Sequence, residues 1–248
     1  MALKVFVDFD GTITKGDVGN AFFKRFGGPV CESIVQEFRE GKLSATECFR
    51  QEVAAIGRLN EGDAKQFFNQ QKIDETFRGF IAFCREQGIE LLVVSDGLDY
   101  YIREVFAAHG IEDVSFFANQ LELTLSGCAP GTDLAVRFPF TDAECTRCAC
   151  CKRNIMLTRS AENDIIVLVG EGDSDRCPAL YADIVFAKDA LQTFCQQENI
   201  SYFPYATFRD VTDRLDQLLK PNGGTGRVRT LRGRRRAALR RREAFIRE

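Results

Sequence analysis

Tryptophan is absent from this chain of 248 residues, and histidine occurs once. The missing tryptophan constrains function little. The lone histidine, His109, lies in Ala107-Ala-His-Gly110. There it reads as a helix-end residue favoured by the dipole, with Gly110 at the cap, and not as a catalytic group. Long apolar runs are also missing, and none approaches the roughly 20 residues needed to span a bilayer. Met1-Ala2-Leu3-Lys4 leads directly into a strand pattern instead of a signal peptide. A cytoplasmic protein is expected.

At this length the chain can bury a full core, as one domain with an insert or as two small domains. Its net charge of −3 hides an asymmetry: residues 227–248 hold ten arginines and two glutamates, a net +8 on an otherwise acidic chain. Lys220-Pro-Asn-Gly-Gly-Thr-Gly226 reads as a linker to that tail. The arginines suit nucleic acid or an anionic membrane. More often such a run is a solvated extension, disordered or loosely helical: Leu231, Ala238 and Phe245 recur every seven residues, but Gly233 and the crowding of charge weigh against a stable helix.

The densest chemistry lies in Val5-Phe-Val-Asp-Phe-Asp-Gly-Thr-Ile-Thr14, where an apolar β-type run ends in two aspartates. In an extended chain Asp8 and Asp10 project to the same side. Two carboxylates at a buried strand end repel unless a divalent cation lies between them, and oxygen-only ligands point to magnesium. Such a site suits chemistry on phosphate. Strand patterns at 3–8, 89–94, 114–118, 165–170 and 183–187 alternate with helical stretches, which argues an α/β fold with a parallel sheet. Two alternating runs between Asn119 and Pro139, around a Gly/Pro turn, predict a β-hairpin.

Asp8-Phe-Asp-Gly-Thr12 resembles the first motif of the haloacid dehalogenase-like phosphatases, and three further motifs follow in order. Ser95-Asp96-Gly97 resembles the second, a hydroxyl and backbone N–H groups that hold a phosphoryl oxygen. Lys152 resembles the third, a cation against the phosphate charge. Gly170-Glu171-Gly172-Asp173-Ser174-Asp175 resembles the acidic fourth. One such motif is weak evidence; four in order are strong. The resemblance implies a Rossmann-like parallel core over residues 1–15 and 77–220 and a small helical cap over 16–76; residues 221–248 are the linker and tail read from composition.

It also implies roles. Asp8 would attack phosphorus and carry the phosphoryl group. Asp10 would act as acid and base. Ser95 and Lys152 would stabilise transferred charge. Asp96 and Gly97 would bind phosphate, and Mg2+ would be held by Asp8, Asp10, Glu171 and Asp175. One position departs from the pattern: family members most often have aspartate where this chain has Glu171. Either the metal site adapts, or Asp175 takes more of the coordination, or catalysis is weakened.

The insert shows helical periodicity at Phe22, Phe23 and Phe26, at Ile34, Val35 and Phe38, and at Phe49, Val53 and Ile56. It resembles the cap of the phosphoserine phosphatase branch, but Glu52 falls where those enzymes place a substrate-binding arginine, and Asp17 where they place an amine-binding glutamate. Asp17 and Glu52 would then face hydroxyls or a cation, or Glu52 is a solvated helix charge. Phe80-Ile-Ala-Phe83, Asp99-Tyr-Tyr101, Cys150-Cys-Lys152 and Phe203-Pro-Tyr205 resemble the methionine-salvage phosphatases that act on 2-hydroxy-3-keto-5-methylthiopentenyl-1-phosphate. The implied partner is a small phosphorylated metabolite, and the implied assembly a monomer or homodimer. Phosphoserine-like, phosphoethanolamine or phosphocholine esters are the alternative. From another class, a weakened fold could bind RNA or membrane through the tail.

Ten cysteines without a signal segment read as thiols or a metal site. Cys145, Cys148, Cys150 and Cys151 precede Lys152 at a spacing that can hold structural Zn2+, with Cys128 as a further ligand. No second spaced pair or nearby histidine supports it, so free thiols are the alternative.

Overall fold

The computed structural model describes residues 2–125 and 132–220. In chain order the elements are β1 (Leu3–Val7), α1 (Val18–Phe26), α2 (Val30–Arg39), α3 (Ala45–Ile56), β2 (Arg58–Leu59), α4 (Glu61–Asn69), α5 (Phe77–Glu86), β3 (Glu90–Leu98) and α6 (Asp99–Ala108). There follow β4 (Ser115–Leu125), β5 (Thr132–Arg137), α7 (Lys152–Thr158), β6 (Ile165–Gly170), α8 (Arg176–Ala179), β7 (Ile184–Ala187), α9 (Asp189–Gln197), β8 (Phe203–Pro204) and α10 (Phe208–Leu219). The described residues fall into two compact units, one within Phe9–Ile73 and Val94–Asn154, the other within residues 2–8, Asp74–Val93 and 155–220.

The second of these units is a parallel sheet in the order β3-β1-β6-β7-β8, with β3 contributing its first half. All six residues of β6 are buried, as expected of a strand covered on both faces. The register sets Val7 beside Val169, and the Asp8 N–H extends the ladder by donating to the Val169 carbonyl at 2.9 Å. Asp8 therefore leaves β1 level with the end of β6. Outside the sheet, Phe208 of α10 meets Phe77 and Phe80 of α5 at ring-centre distances of 4.7 and 5.2 Å.

The other unit contains α1–α4, α6 and the strands β4, β5 and β2. Its helices α1, α3 and α4 start where short polar side chains cap them: Asp17 accepts from the Asn20 N–H at 2.7 Å, Ser44 from Glu47, and Asn60 from Asp63. Phe22 is fully buried, and its ring lies 5.2–5.4 Å from those of Phe23, Phe26 and Phe68. The aromatic periodicity of the insert thus marks a real core.

Strands β4 and β5 form the predicted hairpin, paired antiparallel from Gln120–Arg137 to Leu125–Thr132. Its turn, including Cys128, lies outside the described residues, as do residues 221–248. The strand expected at 114–118 is present and continues past its expected end. It is the first part of β4, which runs uninterrupted into the hairpin; residues 120–125 pair antiparallel with β5, so the sheet is mixed.

Candidate active site

In the parallel unit the acidic groups sit at neighbouring strand ends. Asp8 and Asp175 are buried, with Asp175 fully enclosed. Asp175 Oδ2 accepts the backbone N–H of Glu171 at 3.0 Å and that of Gly172 at 3.2 Å. A Cβ at Gly170 would overlap this carboxylate, lying 2.5 Å from its Cγ, so only glycine lets Asp175 fold back over the end of β6. Tyr205 donates its hydroxyl to the Gly170 carbonyl at 3.2 Å, fixing the same point from β8's side of the chain.

The other unit holds Asp10, Ser95, Asp96, Gly97 and Lys152. Asp10 does not continue the extended strand. The Phe9 carbonyl accepts from the backbone N–H groups of Thr12, Ile13 and Thr14, closing a turn in which Gly11 takes a φ of 68°. The alternation argument that placed Asp8 and Asp10 on one side of a strand therefore does not apply, because β1 ends at Val7.

Asp10 Oδ1 accepts the N–H groups of Val18 at 2.8 Å and Gly19 at 3.2 Å, at the start of α1. Its Oδ2 accepts the Tyr101 hydroxyl at 3.0 Å. Burial, reinforced by the nearby Asp17 charge, pushes the Asp10 carboxyl up to about 7 against these hydrogen bonds. A group titrating there can give or take a proton near neutrality.

Ser95 is buried, and its Oγ accepts the Gly97 N–H at 3.0 Å. The Asp96 side chain reaches the loop ahead of α7, where its Oδ1 accepts from the Ala149 and Cys150 N–H groups at 2.8 and 2.7 Å. Burial raises Asp96 to about 6, opposed by those bonds and by the Lys152 charge. Lys152 is itself buried and opens α7, as its sequence position predicts.

Asp17 is exposed and uses Oδ1 as the cap of α1. Glu52 is buried rather than solvated; its Oε2 lies 3.8 Å from the Cys48 thiol, and burial lifts it to about 7. His109 ends α6 as expected, with Nε2 2.8 Å from the Gln71 carbonyl. Tyr101 had no role readable from sequence beyond its place in Asp99-Tyr-Tyr101. The one available signal was its spacing four residues after Gly97.

Magnesium fits the side chains that would hold it. Asp8, Glu171 and Asp175 offer only oxygen, the donor of hard cations. Among the described residues no three His, Cys, Asp or Glu side chains are grouped to enclose a metal ion. Magnesium does not need such a cage, since one or two carboxylates with water and phosphate oxygens suffice. Zinc does need one, and zinc at Cys145, Cys148, Cys150 and Cys151 has no support among the described residues. The Cys145 and Cys148 sulfurs lie 3.7 Å apart, and the buried Cys150 thiol is pushed up by desolvation and keeps its proton. Cys151 is lowered to about 6 by the Cys148 thiol that donates to it.

Residues 5–176 match the family model of the haloacid dehalogenase-like hydrolases. The chain belongs to that family. A haloacid dehalogenase-like relative from Exiguobacterium sibiricum, named 2-hydroxy-3-keto-5-methylthiopentenyl-1-phosphate phosphatase, is 30% identical over 222 residues, covering 87% of this chain and 97% of its own. The protein of that name from Geobacillus kaustophilus is 30% identical over 219 residues, with 87% and 96% covered. Among solved structures, a phosphoserine phosphatase in a phospho-aspartyl intermediate analogue form shares the haloacid dehalogenase-like fold at a TM-score of 0.64. It is 18% identical, with 86% of this chain and 98% of that one covered. A phosphoserine phosphatase from T. onnurineus gives 0.60 at 16% identity, with 86% and 94% covered. The haloacid dehalogenase-like chain is an enzyme, a phosphoric monoester hydrolase, and hydrolases of this family generally use Mg2+.

Proposed function

We propose that the protein is a magnesium-dependent phosphomonoesterase that works through an aspartyl phosphate on Asp8. We further propose that its substrate is 2-hydroxy-3-keto-5-methylthiopentenyl-1-phosphate, in methionine salvage. The observation that carries the mechanism is Asp10: a carboxyl with both oxygens fixed, titrating near neutrality, two residues after the proposed nucleophile. The substrate assignment draws on relatives of that name that match over nearly their full length.

The Asp8 carboxylate attacks phosphorus while Asp10 gives its proton to the departing alcohol oxygen. Asp10, now a carboxylate, then takes a proton from the water that attacks the Asp8-bound phosphoryl group. Ser95 and Lys152 bind the phosphoryl oxygens, with Gly97 and the Asp96 backbone beside them. The Asp96 side chain holds the loop from which Lys152 projects. Asp8, Asp175, Glu171 and the Asp10 carbonyl would hold Mg2+, which would supply charge neutralisation on the phosphate. The reaction belongs in the cytoplasm, and the described cysteines, none in a disulfide, suit a reducing compartment.

A second reading follows from Glu52. A buried carboxyl in the helical insert, with Asp17 contributing to its shift, favours an amino or quaternary ammonium ester, because a cation would offset the cost of ionising it. Phosphate release with Mg2+ from the methylthiopentenyl ester, phosphoserine, phosphoethanolamine and phosphocholine separates the two. The proposal expects the first to give the highest kcat/KM. Preference for the amino or choline esters would retain the mechanism and move the assignment to Glu52 and Asp17. No turnover, with turnover gained by Glu171→Asp, would mean a weakened metal site and a function in binding.

A further inference from the structure

We infer that Tyr101 is a positioning residue for the proton transfer: its hydroxyl, seated in a slot between two glycines, fixes the orientation of the Asp10 carboxyl and marks Oδ2 as its proton-carrying oxygen. The inference rests on the proposed acid and base role of Asp10. Tyr101 is fully buried, the third residue after β3 ends at Leu98 and within the first turn of α6. Its ring is held by Phe9, Phe22 and Phe68, with centres 6.0, 6.4 and 6.5 Å away. A Cβ at Gly97 would overlap the phenolic oxygen, and a Cβ at Gly19 would come within 2.8 Å of it. Two positions without side chains thus leave one path for the phenol, and the path ends at Asp10 Oδ2, 3.0 Å away.

The hydrogen bonds then distinguish the two oxygens of Asp10. Oδ1 accepts two backbone N–H groups, from Val18 and Gly19. With both lone pairs of Oδ1 directed at fixed donors, Oδ2 is the oxygen with a lone pair left to carry a transferable proton. The Tyr101 hydroxyl donates to the remaining lone pair of Oδ2, which holds that oxygen in place and leaves its proton free for transfer. As the Asp8 oxygen bonds to phosphorus, the P–O bond to the alcohol breaks. The alcohol oxygen keeps the electron pair and takes the proton from Oδ2. Tyr101 stays protonated throughout, and its bond strengthens as Oδ2 becomes anionic.

The dependence on leaving group tests this role apart from simple support of the fold. An alkyl alcohol needs its proton as the bond breaks, whereas p-nitrophenolate departs without one. The full chain and Tyr101→Phe are compared on an alkyl phosphate and on p-nitrophenyl phosphate, with Asp10→Asn as reference. We expect Tyr101→Phe to lower kcat on the alkyl ester about tenfold, the scale of a hydrogen bond to a charged group. The loss on the aryl ester should be at least threefold smaller, with KM for both unchanged within about twofold. A more even loss on the two esters, or a change confined to KM, would overturn the inference. If Asp10→Asn keeps its activity on the alkyl ester, the proposed role of Asp10 fails, and this inference with it. If Asp10→Asn loses that activity while Tyr101→Phe does not, the role of Asp10 stands and only the inference falls.

Discussion

At the residue scale, burial converts side chains that look ordinary in a sequence into titrating groups. Glu52 occupies a helix position that reads equally as solvated, yet it is buried, and its carboxyl rises from 4.5 to about 7. Between those values the folded state holds a proton that the unfolded chain releases. The stabilising contribution is therefore complete below about pH 4.5 and lost as the pH rises through 7. Glu52→Gln removes the titration. Thermal unfolding should show the variant gaining about 1–3 kcal/mol on the wild type between pH 5 and pH 8; parallel profiles would contradict the burial. The motif residues Asp8, Ser95, Lys152 and Asp175 could be picked out by order and type. Tyr101 and the loop contact of Asp96 could not, because each depends on a partner distant in sequence: Tyr101 on Asp10, and Asp96 on Ala149 and Cys150.

At the element scale, strands and helices followed from local pattern where one periodicity dominated. β6 is a continuous apolar run and was placed to the residue, and α7 begins at the expected Lys152. β4 joins two readings, a core strand and a hairpin arm, into a single 11-residue strand, because nothing in its sequence breaks the chain between Phe117 and Leu121. The turn after β1 was hidden for another reason. Three amides converge on the Phe9 carbonyl, and a period-two pattern carries no sign of that. The helices of the insert depend on shared aromatic packing more than on capping. Phe22→Ala should cost about 3–5 kcal/mol, because the fully buried ring touches partners on α1 and α4. Denaturant unfolding checks this, and a loss under 1 kcal/mol would mean the cluster repacks without it.

At the scale of the whole molecule, the parallel order β3-β1-β6-β7-β8 brings Asp8 and the Glu171–Asp175 turn to adjacent strand ends of one unit, while Asp10, Ser95, Asp96 and Lys152 belong to the other. Order along the chain sufficed to recognise the family; the spacing of the cysteines does not by itself establish a metal site, and among the described residues none is found. Among the described residues no helix is long and apolar enough to cross a membrane. Residues 221–248 follow α10, whose Phe208, Val211, Leu215 and Leu218 are buried. Removing those residues should leave phosphate release within about twofold, the range of a change outside the site; loss of folding would move the domain boundary. The central claim is that Asp8 is the nucleophile of a magnesium-dependent phosphatase. The most direct test is phosphate release from the methylthiopentenyl ester by the full chain, with Mg2+ and with chelator, beside Asp8→Asn. The account predicts turnover with Mg2+ that chelation removes and that Asp8→Asn lacks by at least about 10³-fold; turnover surviving in Asp8→Asn would contradict it.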